Sequence, residues 1–151
     1  MTYKIVFFDI DGTLTDERNG SIPPKTKEAV QKLFHKGIKV VAATGRPLSM
    51  CEEIKNLGID TFITANGGYA THEEAVVHQT VLDRSVVQEI SLFAAEHFHG
   101  LSYLTKSLSM NGIQSEQIAQ ALKETLSLNE YPVLAEAINS EDVFFVLSLR
   151  G

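Results

Sequence analysis

The sequence predicts an α/β fold: a mainly parallel sheet over the first part of the chain, then a smaller mixed α/β unit. Three observations predict it. Short runs of β-forming apolar residues alternate with helix-period segments through residue 65. The connections between them are short, which implies right-handed crossovers. Each of the three apolar runs also ends in a cluster of small, polar or charged residues: Asp9–Thr13, Thr44–Arg46 and Asn66–Gly68. In open parallel sheets, ligands bind outside the carboxyl ends of the strands. The three clusters therefore predict one site at one end of the sheet.

The elements follow in order. Lys4-Ile5-Val6-Phe7-Phe8 is a continuous apolar run that reads as a buried strand. A polar loop over residues 12–22 leads to Pro23-Pro24, which suits the start of a helix. Ala29, Val30, Leu33 and Phe34 form its expected apolar stripe, and Gly37 its stop. Residues 38–43 form the second strand. A second helix follows with Leu48, Cys51, Ile54 and Leu57 on one face, ending at Gly58. Thr61-Phe62-Ile63-Thr64 is a short third strand. Beyond Gly68 the character changes. Tyr69-Ala70 and residues 75–78 suggest a small hairpin around Thr71–Glu74. Asp83 can cap a helix carrying Val86, Val87, Ile90, Phe93, Ala94 and His97. Short strands at 101–104, 108–110 and 143–149 are expected, with another helix from Ser115 that carries Ile118, Ala121, Leu122, Thr125 and Leu126. The core is accordingly assigned to residues 1–82 and the accessory unit to 83–151.

Composition narrows the function. The 151 residues carry a net charge of −6, with 44% apolar and 21% charged residues, ordinary for a globular protein. Residues 1–60 hold nine Lys/Arg against eight Asp/Glu; the remainder holds four against eleven. No basic footprint for nucleic acid arises, and the acidic second part argues against an anionic membrane surface. Cys51 is the only cysteine, which excludes a disulfide framework and a thiolate metal cluster. The short apolar run before Asp9 predicts neither a signal peptide nor a membrane span, so a cytoplasmic protein is expected.

Asp9 and Asp11 are the chemical centre. Residues two apart on a strand point the same way, so the two carboxylates lean together while Ile10 faces the other side. Such a pair calls for a cation or a proton between them. A carboxylate nucleophile attacking phosphorus splits one hard displacement into two easier ones. A second carboxylate can protonate the leaving oxygen and later deprotonate water. A hard cation, most naturally Mg²⁺, suits such oxygen donors. Thr44 offers a hydroxyl and a strand-to-helix turn to phosphate oxygens, and Arg46 a planar fork for a phosphate or anionic substrate. Taken alone, Thr44-Gly45-Arg46 reads equally well as a capped turn with a surface arginine, and Asn66-Gly67-Gly68 as an ordinary turn. Cys51 lies on an apolar face and reads as packing. His72 and His78 read as surface residues and Glu73-Glu74 as a solvated loop. His97 and His99 lack the spacing that brings two ligands together on a helix.

These residues carry a resemblance. Asp9-Ile10-Asp11-Gly12-Thr13-Leu14 matches the first motif of the haloacid dehalogenase (HAD) superfamily in its phosphatase form, D-x-D-G-T. Ala43-Thr44-Gly45-Arg46-Pro47 resembles the second motif of the Cof-type subfamily, and Ile22-Pro23-Pro24, Gly37-Ile38 and Ala65-Asn66-Gly67-Gly68 are similar to it too. The resemblance implies a Rossmann-like, HAD-like core with an α/β cap inserted after the third strand. It implies a Mg²⁺-dependent phosphatase acting on small phosphorylated metabolites, such as sugar phosphates or nucleotide-like compounds. Asp9 would be the nucleophile and a metal ligand. Asp11 would be the general acid/base and bind metal through its backbone carbonyl. Thr44, Gly45, Arg46 and Asn66 would line the phosphate and substrate.

The family's third-motif lysine and fourth-motif acids find no match. Lys106 and Lys123 fall inside the implied cap, and Glu141-Asp142 lacks the expected Gly-Asp-x-x-x-Asp surroundings. The resemblance therefore implies an incomplete core and a partial cap, with the first strand an exposed edge that invites self-association. Weak or absent phosphatase activity is expected of these 151 residues alone. The alternative is a phosphate- or Mg²⁺-binding module without turnover, or an inactive fragment stable only as an oligomer.

Overall fold

A computed structural model describes residues 3–106, 108–111, 120 and 142–149. The chain divides into two compact units, Met1–Gln79 and Thr80–Gly151.

The first unit is a five-stranded sheet with strand order β1-β2-β3-β4-β5. β1 (Ile5–Phe8), β2 (Lys39–Ala43) and β3 (Thr61–Thr64) run parallel. β4 (Tyr69–His72) and β5 (Ala75–Gln79) extend the same sheet as an antiparallel hairpin. Its two-residue turn, Glu73-Glu74, has positive φ at both positions, the dihedral sign that matches the twist of a tight hairpin.

Helix α1 (Pro24–His35) begins where Pro24 supplies a pre-set φ and Pro23 lends its carbonyl to Thr26 and Lys27. It ends in a Schellman motif. Gly37 sits at φ +68, its N–H donates to the Phe34 carbonyl, and the Ile38 N–H donates to the Leu33 carbonyl. Val30 is buried, Leu33 and Phe34 pack against the core, and Ala29 is exposed, so the stripe is narrower than its sequence suggests.

The second helix departs further from expectation. A single 3-10 turn, Leu48–Met50, is followed by a short α2 (Glu52–Lys55), with Cys51 out of helical geometry between them (φ −110, ψ 13). The Ile54 and Lys55 N–H groups both go to the Cys51 carbonyl, so the Met50 carbonyl is released from helix bonding. The apolar positions keep their direction: Cys51, Ile54 and Leu57 are all buried. The Gln31 side-chain amide donates to the Leu57 carbonyl (2.8 Å) and ties α1 to this segment.

Both helices cover one face of the sheet, where Phe8, Val40, Ala42 and Phe62 pack with Val30, Ile54 and Leu57. The other face carries Ile5, Phe7, Val41 and Ile63, by the period of two along each strand. β1 is therefore not the buried strand its composition predicts. It lies at the sheet edge, and Ile5 and Phe7 are 45% and 56% exposed. A doubly covered parallel sheet needs helices on both faces, and no described helix of this unit covers these two residues.

In the second unit, α3 (Arg84–Glu96) is capped by Asp83, whose Oδ1 accepts from the Ser85 N–H (2.8 Å) and hydroxyl (2.6 Å). Those bonds, the hydroxyl's first, hold the Asp83 carboxyl below its usual range. β6 (Gly100–Leu104) is the centre of a three-stranded antiparallel sheet, between β7 (Leu108–Asn111) and β8 (Phe145–Leu149). Val87 and Ala94 of α3 pack on Leu101, Tyr103 and Val143, while Val86 and Phe93, expected on the same face, are exposed. Phe93 instead stacks on His97. The helix expected from Ser115, with Ile118, Ala121, Leu122, Thr125 and Leu126, and the residues Lys123 and Glu141 lie outside the described residues. Among the described residues no helix is long and apolar enough to cross a membrane.

Candidate active site

Because β1, β2 and β3 are parallel, the loops that leave their carboxyl ends emerge together. After β1 the chain turns sharply. Asp11 (φ −73, ψ 121) and Gly12 (φ 71, ψ 1) have the dihedrals of a type II β-turn, whose third position requires the positive φ that glycine supplies. The loop is closed by Thr15, whose N–H (3.0 Å) and hydroxyl (3.1 Å) both donate to the Ile10 carbonyl. Ile10 is fully buried, while Asp9 and Asp11 face solvent. The glycine has a second use: a Cβ at position 12 would lie 2.8 Å from Glu17 Oε1, which folds over it.

The loops after β2 and β3 are stitched to each other. The Thr44 N–H donates to the Ile63 carbonyl (2.8 Å), the Ala65 N–H to the Arg46 carbonyl (3.0 Å), and the Asn66 N–H to the Thr44 carbonyl (3.3 Å). The β3 loop is left-handed over three consecutive residues: Ala65 (φ 49), Asn66 (φ 54) and Gly67 (φ 94). Two of these are not glycine, and such strain persists only where the surroundings over-determine it. Here the buried Thr64 hydroxyl holds the loop by donating to the Tyr69 carbonyl (3.0 Å). The turn lays the Asn66 side chain against Gly45, where a Cβ would meet Asn66 Oδ1 at 3.0 Å.

Arg46 joins the β2 loop to the β1 loop. Its Nε donates to Asp11 Oδ2 (3.1 Å) and its Nη2 to Asp11 Oδ1 (2.5 Å), a bidentate pair across 35 positions of sequence. Nη1 donates to the freed Met50 carbonyl (3.2 Å) and faces Glu53 Oε1 at 3.7 Å. The Arg46 side chain is 8% exposed, against 58% for that of its partner Asp11. Burial by itself opposes the charge most strongly. The hydrogen bond and attraction of Asp11, with Glu53 adding, outweigh it and raise the arginine above its ordinary value. The backbone N–H of Arg46 donates to Thr44 Oγ1 (3.1 Å), which leaves the Thr44 hydroxyl proton free for an acceptor outside the loop.

Five of the six expected residues come together in two groups, Asp11 with Arg46 and Thr44, and Gly45 with Asn66, on loops at one end of the sheet, while Asp9 lies exposed at the end of β1. The donor fork of Arg46 is committed to Asp11, Met50 and Glu53. Sequence reading missed Glu53, Glu17 and the Met50 carbonyl; an acidic residue seven positions after Arg46 was the available signal for the first. For Mg²⁺, the Asp9 carboxylate and the Asp11 carbonyl are hard oxygens of the right kind. They would fill only part of its shell: among the described residues, no three His, Cys, Asp or Glu side chains converge on one point. Cys51 is fully buried, its Sγ on the Pro47 carbonyl (3.6 Å), and burial pushes its thiol up to about 11, so it is packing.

Comparison with known proteins agrees with this fold. A hypothetical protein of Geobacillus kaustophilus superimposes with a TM-score of 0.85 at 33% identity, over 97% of this chain and 57% of that one. The structure described as the HAD subclass IIB sugar phosphatase BT4131 gives 0.73 at 30% identity, over 93% and 56%. A Bacillus subtilis protein named "Putative phosphatase YkrA" is 32% identical over 107 residues, 70% of this chain and 41% of its own length. The chain spans about half the length of these relatives. The sequence model described as haloacid dehalogenase-like hydrolase matches residues 6–150. With the Asp9–Thr13 turn, the Thr44–Arg46 loop and the parallel strands that carry them, this chain belongs to the haloacid dehalogenase-like hydrolase family.

Proposed function

We propose that this chain carries the nucleophile and phosphate-binding part of a Mg²⁺-dependent phosphatase for small phosphorylated metabolites, sugar phosphates or nucleotide-like esters among them. The observation that carries the reading is the Arg46–Asp11 pair, which ties the acidic loop after β1 to the Thr44 loop after β2. Asp9, exposed at the mouth of the sheet, attacks phosphorus and forms an aspartyl-phosphate as the P–O bond to the leaving group breaks. Asp11, once a proton takes the place of the Arg46 Nη2 bond on its Oδ1, gives that proton to the departing oxygen. It then takes a proton from water, which attacks phosphorus and releases Asp9 and inorganic phosphate. The free hydroxyl of Thr44 donates to a phosphoryl oxygen, and Asn66 borders the ester group beside Gly45. Bound Mg²⁺, held by the Asp9 carboxylate and the Asp11 carbonyl, would supply neutralising charge for the phosphoryl oxygens.

Phosphate release from a panel of sugar phosphates and nucleotides, measured with Mg²⁺ on the chain and its Asp9→Asn variant, tests this. Release that vanishes in the variant supports the phosphatase. Mg²⁺ and orthovanadate binding that depends on Asp9, without release, supports a binding module that does not turn over. Neither binding nor release sinks both readings. A second reading, that the chain self-associates, rests on the free β1 edge with its exposed Ile5 and Phe7.

A further inference from the structure

The donor fork of Arg46 has two ends, and only one of them faces Asp11. The other is held by groups that the site chemistry above does not use. Nη1 donates to the Met50 carbonyl (3.2 Å) and faces Glu53 Oε1 at 3.7 Å. The carbonyl is available only because the helix breaks at Cys51, so that Ile54 and Lys55 bond to Cys51. A charged side chain only 8% exposed would be costly to bury without such partners. Gripped from behind, it presents Nε and Nη2 in one plane to both oxygens of Asp11, and a fork–fork pair fixes the carboxylate's plane as well as its distance.

We infer that Glu53 is a positioning residue that acts through Arg46 to hold the orientation of the Asp11 carboxylate. The catalytic consequence rests on the phosphatase reading; the positioning itself does not. Glu53 is half-exposed and touches no candidate substrate group, and the cation its carboxylate faces is Arg46. Without it, the guanidinium keeps one carbonyl bond at its rear and can swing about that bond. Both Asp11 contacts then loosen together. An arginine held this way positions the acid/base and is not the substrate's anion ligand.

Glu52 provides an internal control. It is the neighbouring residue and carries the same charge, but it pairs with Lys55 (3.5 Å) rather than with Arg46. The test uses the full 151-residue chain with ¹⁵N-labelled arginine and follows Nε–H exchange. One of its four arginines should show an Nε–H exchanging at least tenfold more slowly than the rest. Asp11→Asn should remove that protection, Glu53→Gln should cut it at least threefold, and Glu52→Gln should leave it intact. Equal protection in Glu53→Gln and Glu52→Gln overturns the inference. Where phosphate release is measurable, Glu53→Gln should lower kcat about fivefold with KM within twofold. An unchanged kcat there overturns the catalytic half. Absence of release from every variant counts against the phosphatase reading, while Nε–H exchange still decides the positioning.

Discussion

Replacing Gly45 by alanine separates a site contact from a stability contact, with Gly37→Ala as its counterpart. At position 45 the new Cβ would lie 3.0 Å from Asn66 Oδ1 and 3.7 Å from its Cγ and Nδ2. Gly45 is not at positive φ, so the methyl meets no backbone penalty. Asn66 is exposed and can turn aside, at about 0.5–1.5 kcal/mol for an off-rotamer side chain. At position 37 the opposite holds. A Cβ there has nothing within 4 Å, but φ is +68, and alanine in a left-handed conformation costs roughly 1–2 kcal/mol. With a urea dependence of about 1–3 kcal/mol per molar, Gly37→Ala should lower the unfolding midpoint by roughly 0.5–1 M, and Gly45→Ala by less, roughly 0.25–0.75 M. Orthovanadate binding with Mg²⁺, measured by calorimetry, should show the reverse order. Gly45→Ala should weaken it about fivefold, equivalent to ~1 kcal/mol, and Gly37→Ala should leave it unchanged. If Gly45→Ala destabilises as much as Gly37→Ala and binds the anion normally, the Gly45–Asn66 contact is packing and Asn66 is no part of the site.

Two further outcomes are expected. Burial raises the Cys51 thiol from 9.0 to about 11, so the unfolded chain deprotonates first. Its contribution is fully present below about pH 9 and is lost as pH rises towards 11, by at most about 2–3 kcal/mol at ~1.4 kcal/mol per unit. Urea midpoints should therefore fall more steeply between pH 8 and 10.5 than in Cys51→Ala, and an equal slope in the two would refute the buried-thiol account. Phe7→Lys should weaken any self-association through β1, since burying one phenylalanine is worth about 1.5–3 kcal/mol, or tenfold or more in dissociation constant. Sedimentation analysis reads this directly. A chain that stays monomeric at all accessible concentrations, or a Phe7→Lys variant that associates as the parent does, removes the edge from consideration.

Much of the fold was legible because the signals are local. The three parallel strands, the proline-led α1 and its Gly37 terminus, the Asp83 cap and the hairpin at Glu73-Glu74 all follow from periodicity and turn chemistry within a few residues. The second helix was misread because spacing of three suits a 3-10 turn as well as an α-helix. Leu48, Cys51, Ile54 and Leu57 point inward under either geometry, and the break shows only in the backbone bonds, where Cys51 rather than Met50 accepts from Ile54. β1 reads as buried from its composition and as an exposed edge from the missing returning strands; the edge is what the structure has, because an apolar run reports the environment a strand is suited to, not the one that surrounds it. Ile5 and Phe7 lie on the face that α1 and α2 do not reach. The α3 stripe was read too wide, since Val86 and Phe93 satisfy the period without facing β6.

By itself the sequence determined the alternation of strands and helices, the Asp9-Ile10-Asp11-Gly12 turn and the grouping of polar clusters at strand ends. Each depends on dihedral preferences and side-chain period over short stretches of chain. The tertiary structure alone decided which groups those clusters engage. Arg46 reads as an open fork for a substrate anion, yet its donors close on an aspartate 35 positions earlier, on Met50 and on Glu53. An arginine side chain buried between the β1 loop and the segment after β2 takes the acceptors that converge on it in space, and sequence spacing does not encode that convergence.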